Sequence, residues 1–182
     1  MKSTSKVSNR IGIVPKKLDE LRGVEGMASK IYFSALPELI DTTRWTRSQH
    51  PAAYPVNALL NYGYAFLERE VRIAIALSGM DARFGFFHSN DGRKDSLVYD
   101  LMELFRQPII DRLVLNLVNR KMISPENFVT TKDDCRLEFE ALRTWCTRYE
   151  EHMARSYQEY EEKNLRDMIT ARVKKFSAHI NR

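Results

Sequence analysis

The chain of 182 residues is 43% hydrophobic, enough to bury one core of ordinary domain size, so a single folded domain is expected. Seven glycines and six prolines are few for this length, and the abundance of Leu, Ala, Glu, Arg and Lys favours helices over a sandwich or barrel. The net charge of +5 permits an anionic partner without requiring one. No stretch approaches the roughly eighteen uninterrupted apolar residues of a membrane span, and the start MKSTSKVSNR lacks the apolar core of a signal peptide. An all-α, soluble, cytoplasmic protein that does not enter a membrane is therefore expected. Cys135 and Cys146 fit no zinc signature and no disulfide framework, which leaves them as free thiols in a reducing compartment.

Residues 1–14 are polar and without period, which predicts a flexible arm ahead of a helical domain over 15–182, with Pro15 where a helix can begin. Leu21, Val24, Ala28, Ile31, Ala35 and Leu39 then recur at three and four, predicting an amphipathic helix from Leu18 to about Ile40. The segment DTTRWTRSQHPAAYP reads as a basic connecting loop that could touch phosphates. Asn57 is suited to cap the next helix, whose Leu59, Leu60, Tyr64, Leu67, Val71, Ile75 and Leu77 are apolar nearly all round before Gly79 ends it. That pattern predicts a central, buried helix. MDARFGFFHSNDGRK has glycines and no helical period, so His88 falls in or beside a loop. Asp95 or Ser96 can cap a third helix with Leu97, Leu101, Leu104 and Phe105 on its core face, and Pro108 should break or kink it. IIDRLVLNLVNRK continues as an apolar helix, SPENFVTTKDDC reads as a polar loop, and one or two charged helices follow from about Leu137. The whole predicts a bundle-like, multi-helix domain.

Glu25 lies between Gly23 and Gly26 in mid-helix, where each glycine costs roughly 1 kcal/mol relative to alanine, so a close approach to that backbone is expected. It shares a face with Leu21, Ala28 and Tyr32 and should point toward the packed side; a solvated glutamate at the edge of the stripe is the alternative. Asp100 and Glu103 stand three apart on the third helix, near enough on one face to share a divalent ion or a proton, although helix surfaces carry many such pairs with no role. His88, in its Gly-flanked loop, could swing over that face. A histidine with two or three carboxylates suits Mg²⁺ or Mn²⁺ and does not suit a thiolate metal. No nucleophilic dyad stands out, and no GxxxxGK[ST] phosphate cradle occurs.

The blocks RGVEGMASKIYF, PVNALLNYGYAFLEREV, GFFHSN and SLVYDLMELFRQPIIDRLVLNLVNR, in this order and spacing, resemble the CRISPR-associated spacer integrases closely over about residues 18–123 and loosely beyond. The resemblance implies a helical catalytic domain in which the Glu of the RGxEG block, the His of the GFxH block and the acid ending the DLxE block hold the metal. Here these are Glu25, His88 and Glu103. It further implies that Asp100 is the neighbouring acid required for activity, and that Tyr99 and Arg106 lie near the DNA ends. Helix-surface and core readings remain open for Arg106 and Tyr99 respectively, while a forked, permanently charged guanidinium suits a phosphate. The implied chemistry is transesterification, in which the 3′-hydroxyls of spacer DNA attack phosphodiesters at the repeat boundaries of a CRISPR array. The implied partners are double-stranded DNA and further copies of the chain in a dimer or tetramer, with a small ferredoxin-like adaptation protein as a further candidate.

The sequence departs from the family pattern in beginning just before the catalytic domain, without the usual N-terminal β-rich domain. The initiating Met favours a short integrase over one domain of a longer protein such as a reverse transcriptase fusion. The loop WTRSQHPAAYPVN has Tyr54 where the family commonly has an acid. Two other readings stand beside the spacer integrase: a transposon integrase with the same helical domain, and a non-catalytic DNA-binding scaffold. The set Glu25, His88, Asp100 and Glu103 argues against the scaffold, which has no chemical use for all four.

Overall fold

The structure, a computed structural model, describes residues 18–40, 55–87, 95–131, 134–161 and 163–180. It is helical apart from one short hairpin, as the composition predicts. The chain divides into two units, Met1–Leu39 and Ile40–Arg182. In the first, helix α1 (Leu18–Ala35) passes into a 3-10 turn at Leu36–Leu39, so the predicted helix tightens in its last turn, at the Leu-Pro pair. The 1–14 arm and Pro15 lie outside the described residues, as do residues 41–54 of the basic loop.

The second unit is organised around α2 (Pro55–Leu77), which packs on the helices that follow it. Asn57 is not its cap: the helix starts two residues earlier, with Pro55 supplying its preset φ at the first position, and Asn57 is buried in the first turn. At the other end the Gly79 N–H donates to the Ala76 carbonyl and the Met80 N–H to the Ile75 carbonyl. This is a Schellman stop, and it needs the φ of +68° that Gly79 adopts. Leu67, Val71, Ala74 and Ile75 are buried, whereas Ile73 and Leu77 are exposed, so α2 is central without being covered all round.

Helix α3 (Ser96–Phe105) does not break at Pro108. It passes into a π-helical segment at Arg106–Asp111 and then into α4 (Arg112–Asn119). A proline lacks the N–H for the α ladder, and the wider π turn lets the chain continue past it. The turn also sets Ile109 and Ile110 inward, both fully buried. Gly63 of α2 lets that segment come close, because a Cβ there would stand 2.3 Å from Ile110 Cγ2.

The stretch read as a polar loop contains the hairpin, β1 (Phe128–Thr130) antiparallel to β2 (Cys135–Leu137), with Thr130 opposite Cys135. Cys135 packs on Ala58 with Tyr62 and Phe128, so one apolar residue at the end of the run anchors the hairpin to α2. Both cysteines are free thiols. Two charged helices close the chain, α5 (Phe139–Ala154) and α6 (Leu165–Ile180). α6 runs beside α2 in the same direction, tied by Arg166 Nε to Glu70 at 2.9 Å and by the Ser177 hydroxyl to the Ser78 carbonyl at 3.3 Å.

Candidate active site

The α3 helix carries the best defined part of the site. Asp100 is buried, and its Oδ2 accepts the N–H of Phe86 at 2.6 Å and of Phe87 at 2.9 Å. One turn earlier, buried Ser96 accepts the Gly85 N–H at 2.9 Å and donates to the Arg83 carbonyl at 2.8 Å. Two side chains of one helix thus hold the backbone of residues 83–87, the segment that runs into His88. Each bond ties a part-buried backbone group of the loop to a buried side chain, so the path of residues 83–87 is specified by α3. Gly85 is part of the same fit. A Cβ there would stand 2.7 Å from Asp100 Oδ2 and 2.8 Å from the Ser96 backbone carbon, so only hydrogen allows this approach.

Asp95, the N-cap residue of α3, makes no side-chain cap bond and instead pairs with Arg72 of α2, which also reaches Glu68 at 2.7 Å. On the next turn Glu103 is half-buried and pairs with Arg106 Nη1 at 2.5 Å. The Arg106 guanidinium lies over the Tyr64 ring at 4.9 Å, and the Tyr64 hydroxyl donates to Asp111 Oδ1 at 2.7 Å. Asp111 is fully buried in the π segment. A continuous line therefore runs from Asp111 through Tyr64 and Arg106 to Glu103, and it fixes the arginine from two sides. The Arg106 Nε is buried with no hydrogen-bond partner among the described residues, so the guanidinium keeps donor capacity beyond its pair with Glu103.

The predicted site residues fare differently. Asp100 and Glu103 do share one helix with Tyr99, which is half-buried. His88 lies outside the described residues, although Phe87 immediately before it is held by Asp100. Glu25 belongs to the first unit, on α1, and is exposed, accepting the Ser29 hydroxyl at 3.0 Å. The expectation that it faces the packed side is corrected, since its supposed face-mate Ala28 is exposed too. Among the described residues outside the α1 backbone, nothing lies within 4 Å of where a Cβ would stand on Gly23 or Gly26. Among the described residues no three His, Cys, Asp or Glu side chains form a metal-binding group. Sequence reasoning missed Ser96 as a loop anchor, Tyr64 as a platform and Asp111 as its acceptor. A polar residue inside an apolar run, as Asp111 is in PIIDRLVL, was the available signal.

A family model described as CRISPR associated protein Cas1 matches residues 1–151, and the chain belongs to that family. It is similar to a CRISPR-associated endonuclease Cas1 of Methanospirillum hungatei, 42% identical over 116 residues that cover 62% of this chain and 35% of that protein. Among solved structures it resembles a Cas1 protein from Thermotoga maritima, with TM-score 0.82 and 28% identity over 92% of this chain and 53% of the other. It also resembles a casposase bound to its integration product, with TM-score 0.79 and 26% identity over 91% of this chain and 48% of that one. The chain thus spans about a third to a half of the length of these relatives.

Proposed function

We propose that the chain carries the active site of a metal-dependent DNA integrase of CRISPR adaptation. The observation that supports this most is the joining of two distant sequence blocks. Asp100 of the DLME block holds the backbone of the GFFH block at Phe86 and Phe87, so the helix bearing Glu103 and the residues that directly precede the histidine in the chain are built as one piece. Glu25, His88 and Glu103 are the proposed ligands of Mg²⁺ or Mn²⁺. Nitrogen and carboxylate oxygens without a thiolate are a donor set of the right chemistry for these ions. When bound, such an ion polarises a phosphate and lowers the pKa of an attacking hydroxyl.

In this reading a 3′-hydroxyl of spacer DNA attacks a phosphodiester at a repeat boundary of the array. One oxygen–phosphorus bond forms as another breaks, leaving a new 3′-hydroxyl and no enzyme-bound intermediate. Asp100 acts as a positioning residue by fixing the His88 loop. Arg106, oriented by Glu103 and the Tyr64 ring, takes a phosphate oxygen, and Tyr99 beside it contacts the DNA ends. Joining both ends of a spacer needs two such sites, hence a dimer or tetramer, with a ferredoxin-like adaptation protein as the expected spacer between them.

The test is strand transfer of a short 3′-hydroxyl duplex into a plasmid bearing a repeat array, with Mg²⁺, Mn²⁺ or chelator. The chain should yield metal-dependent products at repeat boundaries, and Glu103→Ala should abolish them while duplex affinity is kept. Transfer that survives this change would remove Glu103 from the metal site. The likeness to the casposase favours a second reading, insertion of transposon ends, and the same assay separates the two by which donor ends and which target are used.

A further inference from the structure

We infer that the α5–α6 junction is a second contact for the DNA backbone, distinct from the face of α3 that carries Asp100 and Glu103. This inference rests on the reading of the chain as a DNA-joining protein. Three arginines from three parts of the fold converge there on two tyrosines. Arg112 of α4 and Arg155 at the end of α5 both lie over the Tyr157 ring, at 5.6 and 5.7 Å from its centroid. Tyr160 meets Tyr157 edge-on at 6.1 Å and carries Arg172 of α6 at 5.8 Å. Lys163 and Lys175 line an open groove of about 290 Å³ beside Tyr160 and Arg172.

Gathering like charges costs energy unless an anion answers them, and the carboxylates on this surface answer only part. Glu159 pairs with Arg112 at 2.7 Å and Glu161 with Lys163 at 2.8 Å. Among the described residues no carboxylate pairs with Arg155 or Arg172. A guanidinium resting on a ring is held in place yet keeps its N–H donors at the edge, which is the arrangement that receives a phosphate.

The platform itself is fixed. The Ile109 carbonyl can only accept, so His152 Nε2 donates to it at 3.1 Å, and Nδ1 is left to accept the Tyr157 hydroxyl at 2.9 Å. Burial, chiefly, holds His152 below its ordinary pKa, in keeping with this neutral tautomer. The junction is closed by the Ser156–Asn164 bridge and by the Tyr157 N–H to the Lys163 carbonyl at 3.3 Å. Cations spread over two adjoining rings fit a run of phosphates better than one ion, and duplex DNA is the polyanion that the proposed reaction supplies.

The experiment is equilibrium binding of the chain to a labelled mixed-sequence duplex across a salt series. R155Q/R172Q should weaken binding about five- to ten-fold and lower the slope of log affinity against log salt by about 2, near 0.9 for each lost phosphate contact. Glu159→Gln should tighten binding, because it frees Arg112; a purely structural ion pair predicts no gain. An unchanged salt slope in R155Q/R172Q, or no tightening in Glu159→Gln, overturns the proposal. Polyglutamate bound as tightly as duplex, with both lost in R155Q/R172Q, would overturn it in favour of an acidic protein partner. The readout is binding, so absence of strand transfer by the unmodified chain counts against the integrase reading alone.

Discussion

The α3 helix with its loop and the outer face of α5 are both rich in charged and polar side chains, but they use them in opposite ways. On α3, Ser96 and Asp100 are buried and bond to the backbone of residues more than ten positions away, while Glu103 and Arg106 belong to a line that ends on buried Asp111. On α5, Arg143 with Glu140 and Arg148 with Glu151 pair three residues apart along one exposed helix face. A local exposed pair asks nothing of the fold and contributes little to it. A buried carboxylate must find partners or be excluded, so its presence on α3 marks a place where the chain accepts a folding constraint to set a loop.

The largest effect separating the two regions is expected at Asp100. Asp100→Ala removes the charged acceptor of two part-buried N–H groups; bonds to a charged group contribute about 1.5–3 kcal/mol each, and with partial exposure we expect a loss of roughly 2–4 kcal/mol in denaturant unfolding. Asp100→Asn keeps a carbonyl oxygen for the same donors and should restore most of that stability. If Asp100→Ala unfolds like the parent chain, the contrast between α3 and α5 is broken.

The fold was legible where period and composition act locally, and less so where distant residues decide. The helical spans, the buried faces of α2 and α3 apart from exposed Leu77 and Leu104, and the stop at Gly79 could be read from spacing alone, because helix faces and αL glycines are local properties. The α1 stripe differs, since its Ala28, Ile31, Ala35 and Leu39 are exposed. The π turn at Arg106–Asp111 could not. Pro108 announces a fault in the ladder, but whether the helix ends or widens depends on Gly63 and Ile110 meeting across α2. The hairpin in SPENFVTTKDDC was hidden because its anchor, Cys135 against Ala58, joins residues far apart in the chain. For the site, the resemblance singled out Asp100 and Glu103, and spacing put them on one helix. That Asp100 acts on the Phe86 and Phe87 amides is a tertiary fact no spacing contains. The outward position of Glu25 was misread because a stripe of small residues such as Ala28 defines a packed face only weakly.

Gly85 should give the next largest effect. The atoms its missing Cβ would strike include the backbone of Ser96, which cannot rotate away as a flexible side-chain end could. Gly85→Ala should cost about 1–3 kcal/mol as an overpacked site, and it should shift the amide resonances of Phe86 and Phe87 away from their Asp100-bonded positions. A neutral result would mean that residues 83–87 bend aside freely, and the loop would then not be specified by α3.

Arg148→Ala should have the smallest effect. Its partner Glu151 is one turn away, both side chains are about half exposed, and among the described residues neither bonds to a third side chain. Solvent already stabilises both charges, so removing one returns the other to water instead of stranding it, and stability should stay within about 0.5 kcal/mol of the parent. The same logic makes the measurement informative beyond a control. If Arg148→Ala costs as much as Gly85→Ala, then pairing on the open face of α5 is coupled to the buried Trp145 and Tyr149 on its other side. Exposure would then no longer distinguish the residues that shape the site from those that only keep a helix in water.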